Sequence, residues 1–285
     1  MRPFWKRKNN VNETLVAGEA ENGASAPQGG VVTTTSTLRD VLAVTYMVPA
    51  DRVRSLLPDG LHPDLLPDTE GSLCGFLQTL CAYYENARWS PLPGGLGTSY
   101  HQIVYRVLTR RNGVRGAFIK QTFISDNEMQ FGRRAIEQTM DHARFSVYVD
   151  GDPARAAYRR YTLRATGDRD RTELEATALA ELPPPPSPFR DHEELYRFLL
   201  WREELYFQAT VPKNALGLVP VQYGAVTATG ATLTSAKLSP WTRAESLDEE
   251  TLIQPFSTLI VPELTVVTSP PRYPKRPERT EAVTS

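Results

Sequence analysis

An Asn-Gly dipeptide between two strand-like runs is the feature that most constrains the fold of this chain. Residues 100–109 and 114–125 are rich in β-branched and aromatic side chains, and Asn112 and Gly113 lie between them. Both central residues of a type I′ turn need a positive φ, which Asn and Gly adopt at the lowest cost. The sequence therefore predicts a tight antiparallel β-hairpin over residues 100–125.

The two-residue turn also predicts the register of this hairpin. If Asn112 and Gly113 form the loop, Arg111 lies opposite Val114 and Tyr105 lies opposite Lys120. One face of the hairpin then carries His101, Ile103, Tyr105, Val107, Phe118, Lys120, Thr122 and Ile124. About half of the residues on each face are apolar, so we expect the hairpin to lie near the centre of its sheet.

Further alternations and helical spacings fill the rest of the chain. Strands are predicted over residues 41–46, 74–84, 144–149, 157–164, 173–180, 217–227 and 231–238. Helices are predicted over residues 49–57, 128–140 and 187–204. Because strands and helices do not alternate in a βαβ rhythm, the sequence predicts an α+β fold with a curved or barrel-like antiparallel sheet and few flanking helices.

Both ends of the chain differ in composition from its body. Residues 1–36 begin with a basic cluster and continue rich in Gly, Ala, Ser and Asn, whereas residues 269–285 are rich in Pro and charged groups. Such segments bury too little apolar surface to offset their ordering entropy, so we expect disordered tails around a single domain at residues 37–268. A membrane-surface or partner-binding role for the basic tail is the alternative.

Charge and composition argue against several classes of function. The net charge of −1 argues against an extended nucleic-acid footprint. No run approaches the ~20 apolar residues of a membrane span, and no signal-peptide run follows the basic start, so a cytoplasmic location is expected. With two cysteines and four histidines in the chain, we expect neither a metal site nor a cofactor.

Lys120 is one of only six lysines, and it is the one that lies within a strand-like apolar run. Among Phe118, Ile124 and Tyr105 its amine would be desolvated, and a desolvated amine can act as a base or a nucleophile. In the alternative, the lysine stem covers apolar surface while the amine reaches water or a carboxylate.

Two other groups of polar side chains suggest an anion site. His142 and Arg144 share one face if residues 142–149 form a strand, and together they could bind a carboxylate; alternatively, His142 caps the preceding helix. Arg202 and Tyr206 share a face at i,i+4 spacing on the helix predicted after the run Pro183-Pro184-Pro185-Pro186. An inward-facing Arg202 would hold an anionic ligand, whereas a solvated helix face is the alternative.

Three stretches, in the same order, carry a resemblance to a known family. They are Val48-Pro49 with Leu56-Leu57-Pro58-Asp59-Gly60-Leu61; then Arg115-Gly116-Ala117-Phe118, Asp126-Asn127, Gly132-Arg133 and His142-Ala143-Arg144-Phe145-Ser146; and finally Leu199-Leu200-Trp201-Arg202-Glu203-Glu204-Leu205-Tyr206. On these motifs, residues 41–261 resemble the uncharacterised bacterial DUF2071 family of the acetoacetate decarboxylase-like superfamily.

The resemblance implies a curved antiparallel sheet that closes into a cone or barrel around a central cavity. Acetoacetate decarboxylase-like enzymes carry a Gly-Arg-Glu segment followed by a Gly-x-Pro-Lys-Lys strand, whose lysine forms a Schiff base. Here Arg134 follows Gly132-Arg133, and the Pro-Lys-Lys region falls near Met140-Asp141, with no lysine. We therefore expect a cavity that binds a small organic carboxylate or oxo ligand without an imine.

Two functions are open for such a cavity. In the first, the protein is a lyase- or isomerase-type enzyme in which Lys120 or His142 is the acid or base and Arg144 holds a carboxylate. In the second, the protein binds a small molecule without catalysis, and in either case a homo-oligomer is compatible with the sequence. Ligand-binding side chains are expected at Arg144, His101, Tyr105 and Arg202.

Overall fold

The computed structural model describes residues 33–89, 98–125, 140–209 and 215–273. The strands in these ranges are β1 (Thr34–Pro49), β2 (His62–Pro63), β3 (Leu66–Pro67), β4 (Leu73–Trp89), β5 (Thr98–Arg111), β6 (Val114–Ile124), β7 (Asp141–His142), β8 (Arg144–Asp152), β9 (Ala157–Thr166), β10 (Arg171–Ala178), β11 (Glu204–Gln208), β12 (Leu216–Tyr223), β13 (Thr229–Leu238) and β14 (Ser257–Thr268). The α-helices are α1 (Ala50–Ser55), α2 (His192–Leu200), α3 (Ser239–Arg243) and α4 (Glu249–Leu252), and a 3-10 turn spans Pro153–Arg155. The fold is mostly sheet with few helices, as the sequence predicted. No helix among the described residues is long and apolar enough to span a membrane.

Hydrogen-bonded pairings connect seven of the strands in a ring. They run β1-β4-β5-β6-β11-β12-β14, and β14 pairs again with β1. Most pairings are antiparallel, as predicted, but β11 and β7 each pair with β6 in parallel, which the sequence did not predict. The parallel β6–β11 pairing needs a long crossover connection, and residues 125–203 supply it.

A second sheet covers the outside of the ring. Its strand order is β13-β10-β9-β8, and it meets the ring where β13 pairs with β14. One apolar cluster fills the space between this sheet and the ring, and it includes Leu42, Val44 and Tyr46 of β1 together with Tyr161 and Trp241. These residues define the outer face of the ring strands.

The opposite face of the same strands points into the ring. A second apolar cluster, with the partly buried side chains packed on it, draws residues from all seven ring strands, which can converge only inside the ring. Val41 and Ala43 of β1 belong to it, in alternation with the outer-face residues. Helix α2 fills one end of the ring, where Leu195, Phe198 and Leu199 join this cluster.

The predicted hairpin exists, but its register is wrong beyond the first half. Asn112 and Gly113 have φ values of 51° and 82°, and Arg111 pairs with Val114 as expected. Tyr105, however, pairs with Gln121, because Lys120 is an extra residue in a β-bulge. A one-residue shift exchanges the two faces of the strand beyond the bulge, so Phe123 rather than Ile124 packs with Tyr105.

Three other expectations need correction. The helix predicted at 187–204 is limited to α2, and Glu204 already lies in a strand, because pairing with β6 and β12 outweighs the local helical pattern.

Thr34 and its neighbours, assigned to the tail, pair with both β4 and β14. Strand β14 was missed because Pro262 interrupts its pattern; it lies at the irregular position opposite Asp40, where a missing N–H is tolerated. The helix predicted at 128–140 lies, except for Met140, outside the described residues.

We predict that Gly116→Ala disrupts the parallel β6–β11 pairing. A Cβ at this position would lie 2.5 Å from Cε2 of Tyr206 and 2.9 Å from the carbonyl oxygen of Glu204, so the strands must separate. We expect unfolding experiments in urea to show a loss of about 1–3 kcal/mol. In the control Gly224→Ala, the new Cβ would lie 3.4 Å from Cβ of Thr265, an ordinary contact, and the change should stay within about 0.5 kcal/mol. Equal losses in the two variants would contradict this explanation.

Candidate functional site

The structure does not assemble the three residues from which the sequence built an acid–base site. Lys120, His142 and Arg144 are all exposed. Lys120 protrudes from the bulge of β6 and does not lie among Phe118, Ile124 and Tyr105, so the hypothesis of a desolvated amine is wrong. Within the described part of the chain, no hydrogen bond joins any two of these three side chains.

His101 and Tyr105 lie on the outer face of β5 and help to hold the second sheet. The imidazole of His101 contacts the rings of Tyr83 and Phe145, with centroids 5.0 Å and 5.8 Å away, and burial lowers the pKa of His101. The hydroxyl of Tyr105 hydrogen-bonds Thr172 in the second sheet, and burial raises the pKa of Tyr105. Both residues therefore face away from the interior of the ring.

Arg202 is buried, as expected for an inward-facing arginine, but it already forms an ion pair with a carboxylate of the chain itself. Its Nη1 donates to Oδ2 of Asp64 over 2.6 Å, and the two side chains are 0% and 1% exposed. Desolvation lowers the pKa of Arg202 to about 9, against the attraction of Asp64. For Asp64, burial would raise the pKa, but Arg202 and Arg110 outweigh it and hold the pKa below its usual value.

A different arginine occupies the interior of the ring. Arg106 lies on the inner face of β5, and its Nε donates to Oε1 of Gln78 over 2.7 Å. Its Nη2 donates to the carbonyl of Leu199, at the C-terminal end of α2, over 3.3 Å, and the guanidinium also hydrogen-bonds Tyr223. Gln78 is held in turn by Thr45, whose Oγ1 accepts from Nε2 over 2.8 Å.

Arg106 is only 2% exposed. No carboxylate of the described residues lies within ion-pair distance of its guanidinium, in contrast to Arg202. Desolvation lowers the pKa of Arg106, and the phenol of Tyr223 only partly opposes that effect. Burying a charge without a counter-charge costs several kcal/mol of folding free energy. Such a charge is therefore retained only where another interaction or a function compensates for this cost. Strongly perturbed charged groups of this kind concentrate at functional sites.

The side chains around Arg106 are less completely buried than those on the outer face of the same strands. Tyr105, Ile103 and Cys81 face outward and are fully buried. Several of their inward-facing neighbours are partly exposed; these residues are Leu80, Tyr84, Val104, Ile119 and Tyr223. Arg106, itself only 2% exposed, therefore lies beside partly exposed aliphatic and tyrosine side chains.

The polar groups around Arg106 are mostly hydrogen-bond donors. Arg106 presents guanidinium donors, and the hydroxyl groups of Tyr84 and Tyr223 lie close enough to act on its pKa, which they raise against the effect of burial. Burial raises the pKa of Tyr84, which keeps its phenol protonated and able to donate a hydrogen bond. Among the residues described, no three His, Cys, Asp or Glu side chains come together as metal ligands.

Solved structures with a similar fold are found despite low sequence identity. Acetoacetate decarboxylase from Legionella pneumophila is 15% identical with a TM-score of 0.57, and the match covers 92% of this chain and 98% of that one. The chain has an acetoacetate decarboxylase-like fold. An acetoacetate decarboxylase-like enzyme from Sphingomonas wittichii RW1 gives a TM-score of 0.55 at 11% identity, covering 87% of this chain and 95% of that one.

The same fold occurs in an enzyme solved with a small oxo acid. The enduracididine biosynthesis enzyme MppR, in complex with pyruvate, is 13% identical with a TM-score of 0.51, and the match covers 88% of this chain and 91% of that one. No family model matches this sequence, and no curated protein matches it. At these identities the likeness establishes the acetoacetate decarboxylase-like fold and leaves the chemistry to the site itself.

The sequence did not lead us to predict Arg106 and Gln78 as site residues, although it contains a pattern that could have indicated Arg106. The residue interrupts the apolar run Tyr105-Arg106-Val107-Leu108 in the middle of a strand assigned to the centre of the sheet. A charged side chain at such a position must be buried or bulged out. Lys120 also interrupts an apolar run, yet it lies exposed in a β-bulge, whereas Arg106 is buried. Sequence alone therefore did not show which of the two charged residues is buried.

We predict that Asp64→Asn destabilises the protein by about 3–5 kcal/mol at pH 7, because it leaves Arg202 buried without a counter-charge. The lowered pKa of Asp64 means that its ionised form stabilises the folded state above the unfolded pKa of ~3.9, and that this stabilisation is lost as the pH falls through the folded value. Urea unfolding of both proteins from pH 7 to pH 3 should show that the difference between their free energies of unfolding decreases below about pH 4.

Asp168→Asn, at an exposed turn, is the matched control and should change stability little at any pH. If the gap between the wild-type protein and Asp64→Asn stays constant down to pH 3, the ionised Asp64 is not the source of the stability.

Proposed function

We propose that this protein binds a small carboxylic acid with a neighbouring oxo group, and that Arg106 holds the carboxylate inside the ring. The observation that carries the proposal is the buried guanidinium without a carboxylate partner among the described residues. An external carboxylate would supply the missing charge, and charge-assisted hydrogen bonds to guanidinium are among the strongest in proteins.

The surroundings of Arg106 favour a short, partly apolar ligand. Leu80, Val104 and Ile119 give apolar walls, which suit an alkyl group. The phenol of Tyr84, which burial keeps protonated, can donate to an oxo oxygen while Arg106 holds the carboxylate. Pyruvate and acetoacetate carry this combination of groups, and the fold neighbour MppR was solved with pyruvate. The order of the sequence motifs supports, as part of this proposal, placement in the DUF2071 family.

Recognition in this proposal is non-covalent. An imine needs an unprotonated primary amine beside the oxo carbon. Of the six lysines, Lys120 and Lys237 lie in the described part of the chain, and both are exposed. Met140 and Asp141 occupy the region where the resemblance expects the reactive lysine. The polar groups around Arg106 bind and orient a carboxylate, so we favour a binding function over lyase chemistry at Lys120 or His142.

We predict that pyruvate or acetoacetate binds to the wild-type protein and that Arg106→Gln weakens this binding by roughly 10- to 150-fold. The loss corresponds to about 1.5–3 kcal/mol for a hydrogen bond to a charged group. Isothermal titration calorimetry at constant ionic strength measures it. Arg106→Lys keeps the charge but loses the planar guanidinium, so its affinity should lie between those of the wild-type protein and Arg106→Gln.

Arg144→Gln is the control for this experiment, since Arg144 is exposed and was the carboxylate-binding residue expected from sequence. It should bind as the wild-type protein does. If Arg144→Gln abolishes binding while Arg106→Gln leaves it intact, or if neither acid binds to the wild-type protein, the assignment of Arg106 is wrong.

We also predict that borohydride reduction in the presence of acetoacetate leaves no specific covalent adduct. Intact mass measurement followed by peptide mapping tests this, with excess unlabelled pyruvate as competitor. Labelling at Lys6, Lys8 or Lys275 that resists the competitor is non-specific reaction of lysines near the chain ends. A stoichiometric adduct at Lys120, Lys213 or Lys237 that the competitor suppresses would establish an imine and overturn the non-covalent proposal.

A further inference from the structure

A second cluster of arginines lies at the end of the ring that holds α2. Arg110 and Arg115 are direct cross-strand partners beside the turn of the β5–β6 hairpin. Like charges in directly opposed positions repel, so this pair requires an opposing charge. Asp64 provides it: its Oδ1 accepts from Nε of Arg110 over 2.7 Å, and its Oδ2 accepts from Nε of Arg115 over 3.2 Å.

The cluster carries more positive charge than Asp64 can balance. Arg202 also binds this carboxylate, so three guanidiniums share one counter-charge. The Asp64 side chain is 1% exposed and cannot reach solvent, whereas the side chains of Arg110 and Arg115 are 49% and 27% exposed. Each of these two donates to Asp64 through Nε, so this carboxylate does not use its Nη donors.

Arg110 and Arg115 line a cleft of about 580 Å³ between the hairpin and α2. On its α2 side, the charges largely cancel one another: Arg190 pairs with Glu194, and Arg197 pairs with Glu193. The remaining carboxylate of the lining, Asp191, accepts from the backbone N–H of Glu194 as the N-cap of α2. The lining therefore carries four arginines against three carboxylates, and Arg110 and Arg115 are the two arginines whose ion-pair partner, Asp64, is not part of it.

Apolar side chains complete the cleft. Leu66, Phe189 and Phe198 contribute to its lining. The guanidinium of Arg115 lies over the ring of Phe198, with its Cζ 4.3 Å from the ring centroid. This contact fixes the orientation of one of the two cationic groups before any ligand arrives, and pre-organised guanidiniums lose less entropy when they bind an anion.

We propose that this cleft binds a small organic dianion, with its doubly charged group on Arg110 and Arg115 and its apolar part against Phe189 and Phe198. A phosphate monoester and a dicarboxylate share this chemistry. The cleft is distinct from the space around Arg106. Along β5, Leu108 lies between Arg106 and Arg110 on the same face, and it is fully buried, so about 13 Å of packed strand separates the two arginines.

Calorimetric titration with phenyl phosphate tests the proposal, with benzoate as the singly charged analogue and succinate as the dicarboxylate. At constant ionic strength we expect the wild-type protein to bind at least one of the dianions, and benzoate to bind at least tenfold more weakly. Tighter binding of phenyl phosphate identifies a phosphate monoester as the ligand class, and tighter binding of succinate identifies a dicarboxylate.

Arg110→Gln should weaken binding of the preferred dianion at least tenfold. The Arg110 side chain is half exposed and Asp64 keeps two other arginines, so we expect this variant to fold, with an unfolding midpoint near that of the wild-type protein. Arg110→Lys preserves the charge and should recover part of the affinity. Arg155→Gln, an 83% exposed arginine elsewhere on the surface, is the matched control and should bind like the wild-type protein.

Absence of binding of both dianions to the wild-type protein overturns the proposal. So does an affinity that is equal in Arg110→Gln and the wild-type protein, or a loss in Arg155→Gln as large as in Arg110→Gln. Because the residues differ from those around Arg106, the pyruvate experiment and this one fail independently.

Discussion

Closure of the sheet through β1 is the constraint on which the rest of the structure depends. Strand β1 pairs with β4 along one edge and with β14, from the far end of the chain, along the other. Residues 41–46 are buried on both faces, one against the second sheet and the other inside the ring. A strand surrounded in this way leaves no free edge, and it brings together side chains of seven strands.

The closed ring creates an interior in which arginines and a helix end satisfy each other. Arg106 donates to the carbonyl of Leu199, and Arg202 donates to that of Phe198. These carbonyls belong to the last turn of α2, where orphan C=O groups and the negative end of the helix dipole favour cations. The same short segment therefore fixes both buried guanidiniums. Asp64 balances Arg202, whereas Arg106 has no carboxylate partner among the described residues, and this difference separates a structural arginine from a candidate binding residue.

The sequence could predict elements whose signal is local. The Asn112-Gly113 turn is confirmed because positive φ is a property of two adjacent residues. Two further strands, β8 and β9, lie where alternation predicted them. What failed depends on partners distant in sequence: the bulge at Lys120, the short α2, and the strand that contains Glu204. Each is a place where pairing between strands outweighs the intrinsic preference of the segment.

The candidate site was predictable in kind but not in position. From its motifs the sequence indicated an acetoacetate decarboxylase-like fold and an arginine for an anionic ligand, and the fold is now observed. It could not choose among Arg144, Arg202 and Arg106, because they differ only in what surrounds them: one is exposed, one meets Asp64, and one lies inside the ring beside Gln78. Composition and periodicity determine which residues prefer a strand or a turn, whereas the electrostatic state of a guanidinium depends on groups brought near it by tertiary contacts. For that reason the tertiary structure alone decided which arginine lacks a carboxylate partner in the described part of the chain.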